Sequence, residues 1–253
     1  MYAKDNILNW LFVDIETASE YPDYETLCEK NPKKGKLWDH RCEYLRRRYV
    51  ECEKMTESEL YAEKAGLHAE FCNIVCVCLG VTHCDGRAQV VGFAGSEEKE
   101  ILRKSLEMIA KFKANVYNKS RTATAYLAGH NIKRFDVPVL CKRAMVNKLE
   151  LPDMLKVHDK KPWEMTFVDT ADLWSFGAWQ ESFASLDLLA CVLGLESPKE
   201  SGMSGDKVGE AYWKRGDIAG IKHYCQNDVL AVMNVILDWS SLPQVSFENA
   251  VRA

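Results

Sequence analysis

The sequence predicts an α/β fold: a mixed five-stranded sheet flanked by helices, with a helical insertion after the first strand. Three observations predict it. Phe71 to Thr82 and Ala88 to Phe93 are apolar, β-branched runs joined by an Asp85-Gly86 turn signal, so with the first strand they make an antiparallel meander. From there strand-like and helix-like patterns alternate, which places helices against a sheet. The remainder is helical and ends in a long segment from Asp217 to about Trp239.

The first strand runs from Asn6 to Ile15, its end marked by Trp10-Leu11-Phe12-Val13-Asp14-Ile15-Glu16-Thr17. Successive strand side chains point to opposite faces, so Val13 and Ile15 share the core side while Asp14 and Glu16 stand together on the other, at the sheet's rim. Two carboxylates that close repel, and a divalent cation removes the conflict. The plain alternative is a strand end with two solvated acids.

From about 20 to 66 the composition shifts to dense charge with helical spacing. Leu37, Trp38, Cys42, Leu45 and Tyr49 form one stripe, and Thr56-Glu57-Ser58-Glu59 is a capping-box pattern. This reads as an insertion within a single domain of residues 1–253. Arg46-Arg47-Arg48 reads as a solvated helix face, with contact to a nucleic-acid backbone as the alternative. Further on, Ser96 caps an amphipathic helix carrying Ile101, Leu102, Leu106, Ile109 and Phe112. Thr122 to Ala128 is a fourth strand, Phe135 to Leu149 a helix and Glu164 to Val168 a fifth strand. Helices follow over Ser185 to Leu193, Lys207 to Trp213 and the closing segment.

Composition narrows the class. The chain has 253 residues, 47% hydrophobic and 28% charged, enough to bury a substantial core. The net charge of −4 argues against a broad basic surface that coats duplex DNA, and leaves room for a local groove. No apolar run reaches the ~18 residues of a membrane span, and Met1 to Asn9 lacks a leader pattern. Ten cysteines scattered through apolar patterns fit a reducing cytoplasm. Cys72, Cys76, Cys78, His83 and Cys84 cluster in sequence but lack a CxxC pair, which argues against structural zinc.

Two further acids stand out. Asp136, in Asn131-Ile132-Lys133-Arg134-Phe135-Asp136, falls near a helix N-terminus, where an anion is favoured; by itself it reads as a helix cap. Asp228 lies four residues after Tyr224, on one face of the closing helix. The acidic strand, the Asn131-x3-Phe135-Asp136 segment and the Tyr224-x3-Asp228 helix, in that order, resemble the DEDD (DnaQ-like) 3′–5′ exonuclease superfamily. Within it they are most similar to the Tyr-type branch and to stand-alone relatives of the proofreading exonuclease domain of family B DNA polymerases. Gly66-Leu67-His68-Ala69-Glu70-Phe71, Phe167-Val168-Asp169-Thr170 and Ser185-Leu186-Asp187-Leu188-Leu189 add to the likeness, which runs from about Asn9 to about Asp238.

The resemblance implies a ribonuclease-H-like fold and two divalent ions, Mg²⁺ or Mn²⁺, held by Asp14, Glu16, Asp136 and Asp228; oxygen-only ligands suit such hard cations. It implies hydrolysis of single-stranded DNA from its 3′ end to nucleoside 5′-monophosphates, with Tyr224 orienting the attacking water. His223, five residues before Asp228, is the alternative helper. Thr17 would contact the terminal 3′-OH. Asn131 would bond substrate or fix its loop. Lys133 and Arg134 are candidate phosphate contacts or a solvated loop end, and Asp169 and Asp172 read as cap and loop residues. The implied partners are single-stranded DNA 3′ ends and a separate DNA polymerase or recombination protein. An exoribonuclease of the same fold and a non-catalytic 3′-end-binding module are the competing readings.

Overall fold

The computed structural model describes residues 7–83, 87–178, 184–197 and 202–253; the Asp85-Gly86 turn and Cys84 lie outside the described residues. The first strand, β1 (Trp10–Ser19), starts later and runs further than its sequence pattern suggests. Helices α1 (Tyr24–Lys30), α2 (Pro32–Arg48) and α3 (Glu57–Lys64) form the insertion. The Thr56 capping box is present, with Glu59 reaching back to the Thr56 N–H at 2.7 Å. Strands β2 (Cys72–Thr82) and β3 (Ala88–Ala94) follow, then α4 (Glu98–Lys119). Glu97, not Ser96, occupies the N-cap of α4 and its side chain caps nothing; the first turn is instead tied down by Glu98, whose carboxylate accepts from the Ile74 N–H.

Strand β4 (Tyr126–Gly129) leads to α5 (Asp136–Val146), and β5 (Phe167–Asp169) runs straight into α6 (Thr170–Ser175). The helix expected from Ser185 to Leu193 is α7 (Leu186–Leu193), with Ser185 as its cap. The single helix expected over Lys207 to Trp213 is one α turn, Val208–Glu210, between a tight turn and a π-helical stretch to Arg215 that closes on Gly216 at φ 62°. Asp217 then caps α8 (Ile218–Trp239), accepting from the Gly220 N–H at 2.9 Å.

Among the described residues the sheet has six strands, not five, in the order β5-β4-β1-β2-β3-β6. The added strand, β6 (Val251–Arg252), pairs parallel with β3 through Gln89 and Val90. Two residues carry no alternation to read; the pairing exists because the Ala253 backbone bonds Gly92 and Val90. The meander of β1, β2 and β3 is antiparallel, whereas β1, β4 and β5 run parallel.

The pleat of β1 sorts the core into two sides. Leu11, Val13 and Ile15 pack with Ile101, Leu106 and Leu140 of α4 and α5. Trp10, Phe12 and Ala18 pack with Val229, Leu230 and Met233 of α8. At about 1.5–3 kcal/mol per fully buried aliphatic side chain, α8 is the largest single apolar contributor on its side. Gly80 suits its close approach, since a Cβ there would fall 2.7 Å from Cγ1 of the stiff, β-branched Val229.

The insertion has its own core. Trp38 sits among Leu27, Leu45, Leu60, Tyr61 and Phe71, edge-on to Tyr61 and Phe71 at 5.3 and 4.9 Å. The stripe is narrower than predicted, since Leu37 and Tyr49 are exposed. Arg46 bonds the Met55 carbonyl and Glu57, while Arg47 and Arg48 face solvent. No helix among the described residues is long and apolar enough to cross a membrane.

Candidate active site

Asp14 and Glu16 lie on the α8 side of β1, opposite Cys78 and Cys76 of β2. They stand within the strand and not at its end. Pairing with β2 continues to Ser19 after a register shift between Glu16 and Thr17. Pairing with β4 stops at Phe12. The acids therefore occupy the stretch where β1 has outrun its parallel neighbour, at the carboxyl edge where α/β sheets open clefts.

The chain leaving β4 brings in the third acid. Gly129 must be glycine, because a Cβ there would lie 2.7 Å from the Val13 carbonyl oxygen. Asn131 takes a left-handed conformation, φ 61°. Its N–H donates to Asp169 Oδ1 at 2.7 Å, and the Lys133 N–H donates to Asp169 Oδ2 at 3.0 Å. Asp169 thus clamps the loop and also caps α6 through the Ala171 N–H, as its sequence position suggests. The loop delivers Asp136 to the first turn of α5. Asp136 is not the helix cap: Phe135 holds that position, and Asp136 Oδ1 accepts from the Ile15 N–H of β1 at 3.1 Å.

The fourth acid arrives on α8, where Tyr224 and Asp228 share a face by their four-residue spacing and are both buried. The group behaves as one charge cluster. Burial, then the charges of Asp228, Glu16 and Asp136, hold the Asp14 carboxyl well above the usual range. Burial and Asp228 do the same to Glu16. Asp136 is pushed up to about 7, by burial first, against the opposing pull of its backbone hydrogen bonds. The Tyr224 hydroxyl is driven upward by burial, by Asp228, Glu16 and Asp14, and by its bond to Asp228, so it keeps its proton and remains a donor.

Several predicted substrate contacts have structural partners. Thr17 Oγ1 donates to the Gly66 carbonyl at 2.7 Å, fastening the insertion to β1. Lys133 and Arg134 both reach Asp172, at 3.0 and 3.3 Å. Asn131 fixes its loop through its backbone. His223 is exposed and faces away from the acids, lining a small cavity with Asn227 and Arg252. Three features escaped the sequence reading. Trp213 donates from Nε1 to the Ser19 carbonyl at 3.0 Å. His130 bridges Thr170 and the Ala184 carbonyl, both at 2.9 Å. The thiols of Cys76, Cys78 and Cys225 converge beside the acids. Only the strand alternation of Cys76 and Cys78 hinted at the last.

The donors present fit hard divalent cations. All four acids offer oxygen only, and Asp14 Oδ2 is buried without a hydrogen-bond partner. An isolated buried carboxylate oxygen costs free energy that a cation recovers. A cavity of about 810 Å³ lies elsewhere, beside α4, lined by Leu106, Tyr117, Leu151 and Lys156, on the opposite side of the sheet from the acids.

Fold and site together define an α/β protein with a buried, oxygen-rich acid cluster at the carboxyl edge of its sheet. A family model described as "Predicted 3'-5' exonuclease related to the exonuclease domain of PolB" matches residues 65–245, and the chain belongs to that family. Asp136, Tyr224 and Asp228 lie inside the matched stretch; Asp14 and Glu16 precede it. The fold is similar to that of the family B DNA polymerase from the hyperthermophilic archaeon Pyrobaculum calidifontis, with a TM-score of 0.53 and 17% identity. That likeness covers 91% of this chain and 24% of the polymerase, and identifies the sheet and its helices as ribonuclease-H-like. No curated protein matches the chain.

Proposed function

We propose that the protein is a metal-dependent 3′–5′ exodeoxyribonuclease that shortens single-stranded DNA from its 3′ end and releases nucleoside 5′-monophosphates. The observation that carries this reading is the clustering of Asp14, Glu16, Asp136 and Asp228, from β1, α5 and α8, on one face beside a protonated tyrosine. Bound Mg²⁺ or Mn²⁺ would be held by these four acids and would supply Lewis acidity to the attacking water and the leaving 3′ oxygen. Tyr224, its hydroxyl kept neutral by the surrounding carboxylates and bonded to Asp228 in the metal-free site, would turn its single O–H to the water once Asp228 holds a metal, and so position it. Asp136 is oriented by the Ile15 N–H, so its second oxygen keeps a fixed direction. Lys133 and Arg134 are half-exposed while paired with Asp172, and either can turn toward a phosphate without leaving its loop.

Purified protein with Mg²⁺ or Mn²⁺ and end-labelled single-stranded DNA and RNA of matched sequence provides the test. A 3′ ladder on DNA that disappears in Asp14→Ala and Asp228→Ala is the expected result. A ladder on RNA alone replaces the substrate assignment. Binding without cleavage, or full activity in both variants, overturns the reading.

A further inference from the structure

Cys76 and Cys78 are alternate residues of β2, so their side chains leave the sheet on the same side. Their cross-strand partners are Glu16 and Asp14. Helix α8 lays Cys225 over the same patch, its thiol 3.4 Å from the Asp14 carbonyl oxygen. All three cysteines are fully buried. Buried cysteines ordinarily serve as small hydrophobes and touch whatever surrounds them. Here three sulfurs converge on one another instead: every pair lies within 4.8 Å, and Cys76 and Cys78 are 3.7 Å apart.

That spacing has a chemical meaning. A tetrahedral zinc with Zn–S bonds of about 2.3 Å holds its sulfurs about 3.8 Å apart. The Cys76–Cys78 pair is already at that separation, and small rotations bring Cys225 to it. A fourth donor is adjacent, since Cys225 Sγ also groups with carboxylate oxygens of Asp14 and Glu16 within 4.8 Å.

We propose that Cys76, Cys78 and Cys225 form a site for a thiophilic divalent ion, Zn²⁺ or Cd²⁺, completed by a carboxylate oxygen of Asp14 or Glu16. The thiols release their protons to water as the metal–sulfur bonds form. Sulfur selects against Mg²⁺ and Mn²⁺, so the two kinds of ion are sorted by donor and not by size. Because the fourth donor comes from the acid cluster, occupancy withdraws a carboxylate from that cluster. On the nuclease reading, bound zinc therefore inhibits; the site itself does not depend on that reading.

The test uses Cd²⁺ alone, added to the reduced, metal-free protein, with the ultraviolet thiolate-to-cadmium charge-transfer absorption as readout. The expected result is saturation at one equivalent and persistence of the band in a large excess of Mg²⁺. Cys76→Ala and Cys225→Ala should each weaken Cd²⁺ binding by at least about tenfold, the cost of losing even an outer-shell partner of a metal site. Cys42→Ala, in the insertion core, should leave it unchanged. The ¹¹³Cd resonance of the wild-type complex gives a check that needs no variant to fold, and it should report sulfur-dominated coordination. Absence of the band, its unchanged survival in the Cys76→Ala/Cys225→Ala double variant, or an oxygen-only ¹¹³Cd resonance overturns the proposal.

Discussion

Tyr224 and His223 are adjacent in sequence and stand on different sides of α8. Tyr224 is buried and feels the charges of Asp228, Glu16 and Asp14. His223 is exposed beside Arg252, which, after burial, also lowers its proton affinity. A positioned proton donor contributes about 10²–10⁴ in rate. Tyr224→Phe should thus lower kcat at least about a hundredfold with little change in KM, while His223→Ala stays close to wild type; steady-state kinetics on a labelled 3′ end decides. The opposite ranking would give the role to the histidine. Strand alternation and four-residue helix spacing made the pairs Asp14 with Glu16 and Tyr224 with Asp228 legible as local geometry, whereas joining them with Asp136 into one set rested on the resemblance to the exonuclease superfamily. The partners of Thr17, Lys133 and Arg134 were not. The Gly66 carbonyl and Asp172 come from segments 49 and about 40 residues away, and no local pattern announces them.

Among the elements, the five expected strands and the long helices followed their apolar periods and differ mainly at their ends, while the two-residue β6 had no period to follow. The first strand outlasts its apolar run because β2 continues to pair with it as far as Ser19. The start of α4 shifts because Glu98 is committed elsewhere. Its carboxylate accepts from the Ile74 N–H, from Asn147 and from two nitrogens of Arg143. Arg143 also reaches the Ala69 carbonyl and Asn73, so a nearly buried ion pair joins β2, α4 and α5. Removing one partner of such a pair leaves the other charge buried and costs about 3–5 kcal/mol. Arg143→Ala should lower the folding free energy by that amount in urea denaturation, and Arg143→Lys should recover little, since a lysine cannot reproduce the forked contacts.

At the scale of the whole molecule, the acid cluster sets how stability depends on pH. In the metal-free fold Asp14, Glu16 and Asp136 have raised proton affinities. The unfolded chain releases those protons near pH 4. Between about pH 4 and pH 7 the folded state therefore binds more protons than the unfolded state, and stability falls as pH rises. Paired surface acids such as Glu57 act with the opposite sign at lower pH, and the imidazoles of His68 and His130, whose proton affinity burial lowers, oppose the trend up to about pH 6.5; the three clustered acids outnumber them. The metal-free Tm should fall from pH 5 to pH 8, and added Mg²⁺ should restore it. Glu16→Gln should raise metal-free stability at pH 8 by about 0.5–2 kcal/mol and flatten the slope. A stability that rises steadily over this range would contradict the clustered arrangement. The mixed α/β class was readable from the order of elements alone. The repulsion of Asp14 and Glu16 was readable in their strand alternation; the further load from Asp136 and Asp228 was not, because it arises only when β1, α5 and α8 meet.

The hydrogen bond from the Ile15 amide to Asp136 makes a main-chain nucleus a spectator of the acid site. An amide proton that donates to a carboxyl group is deshielded when that group ionises. In a ¹H–¹⁵N spectrum of the metal-free protein, the Ile15 cross-peak should move downfield with a midpoint near pH 7, the value to which Asp136 is pushed. With Mg²⁺ bound the same peak should hold still across that range. One resonance, in a residue whose side chain points away from the acids, would report the charge state of the cluster without any label placed in it.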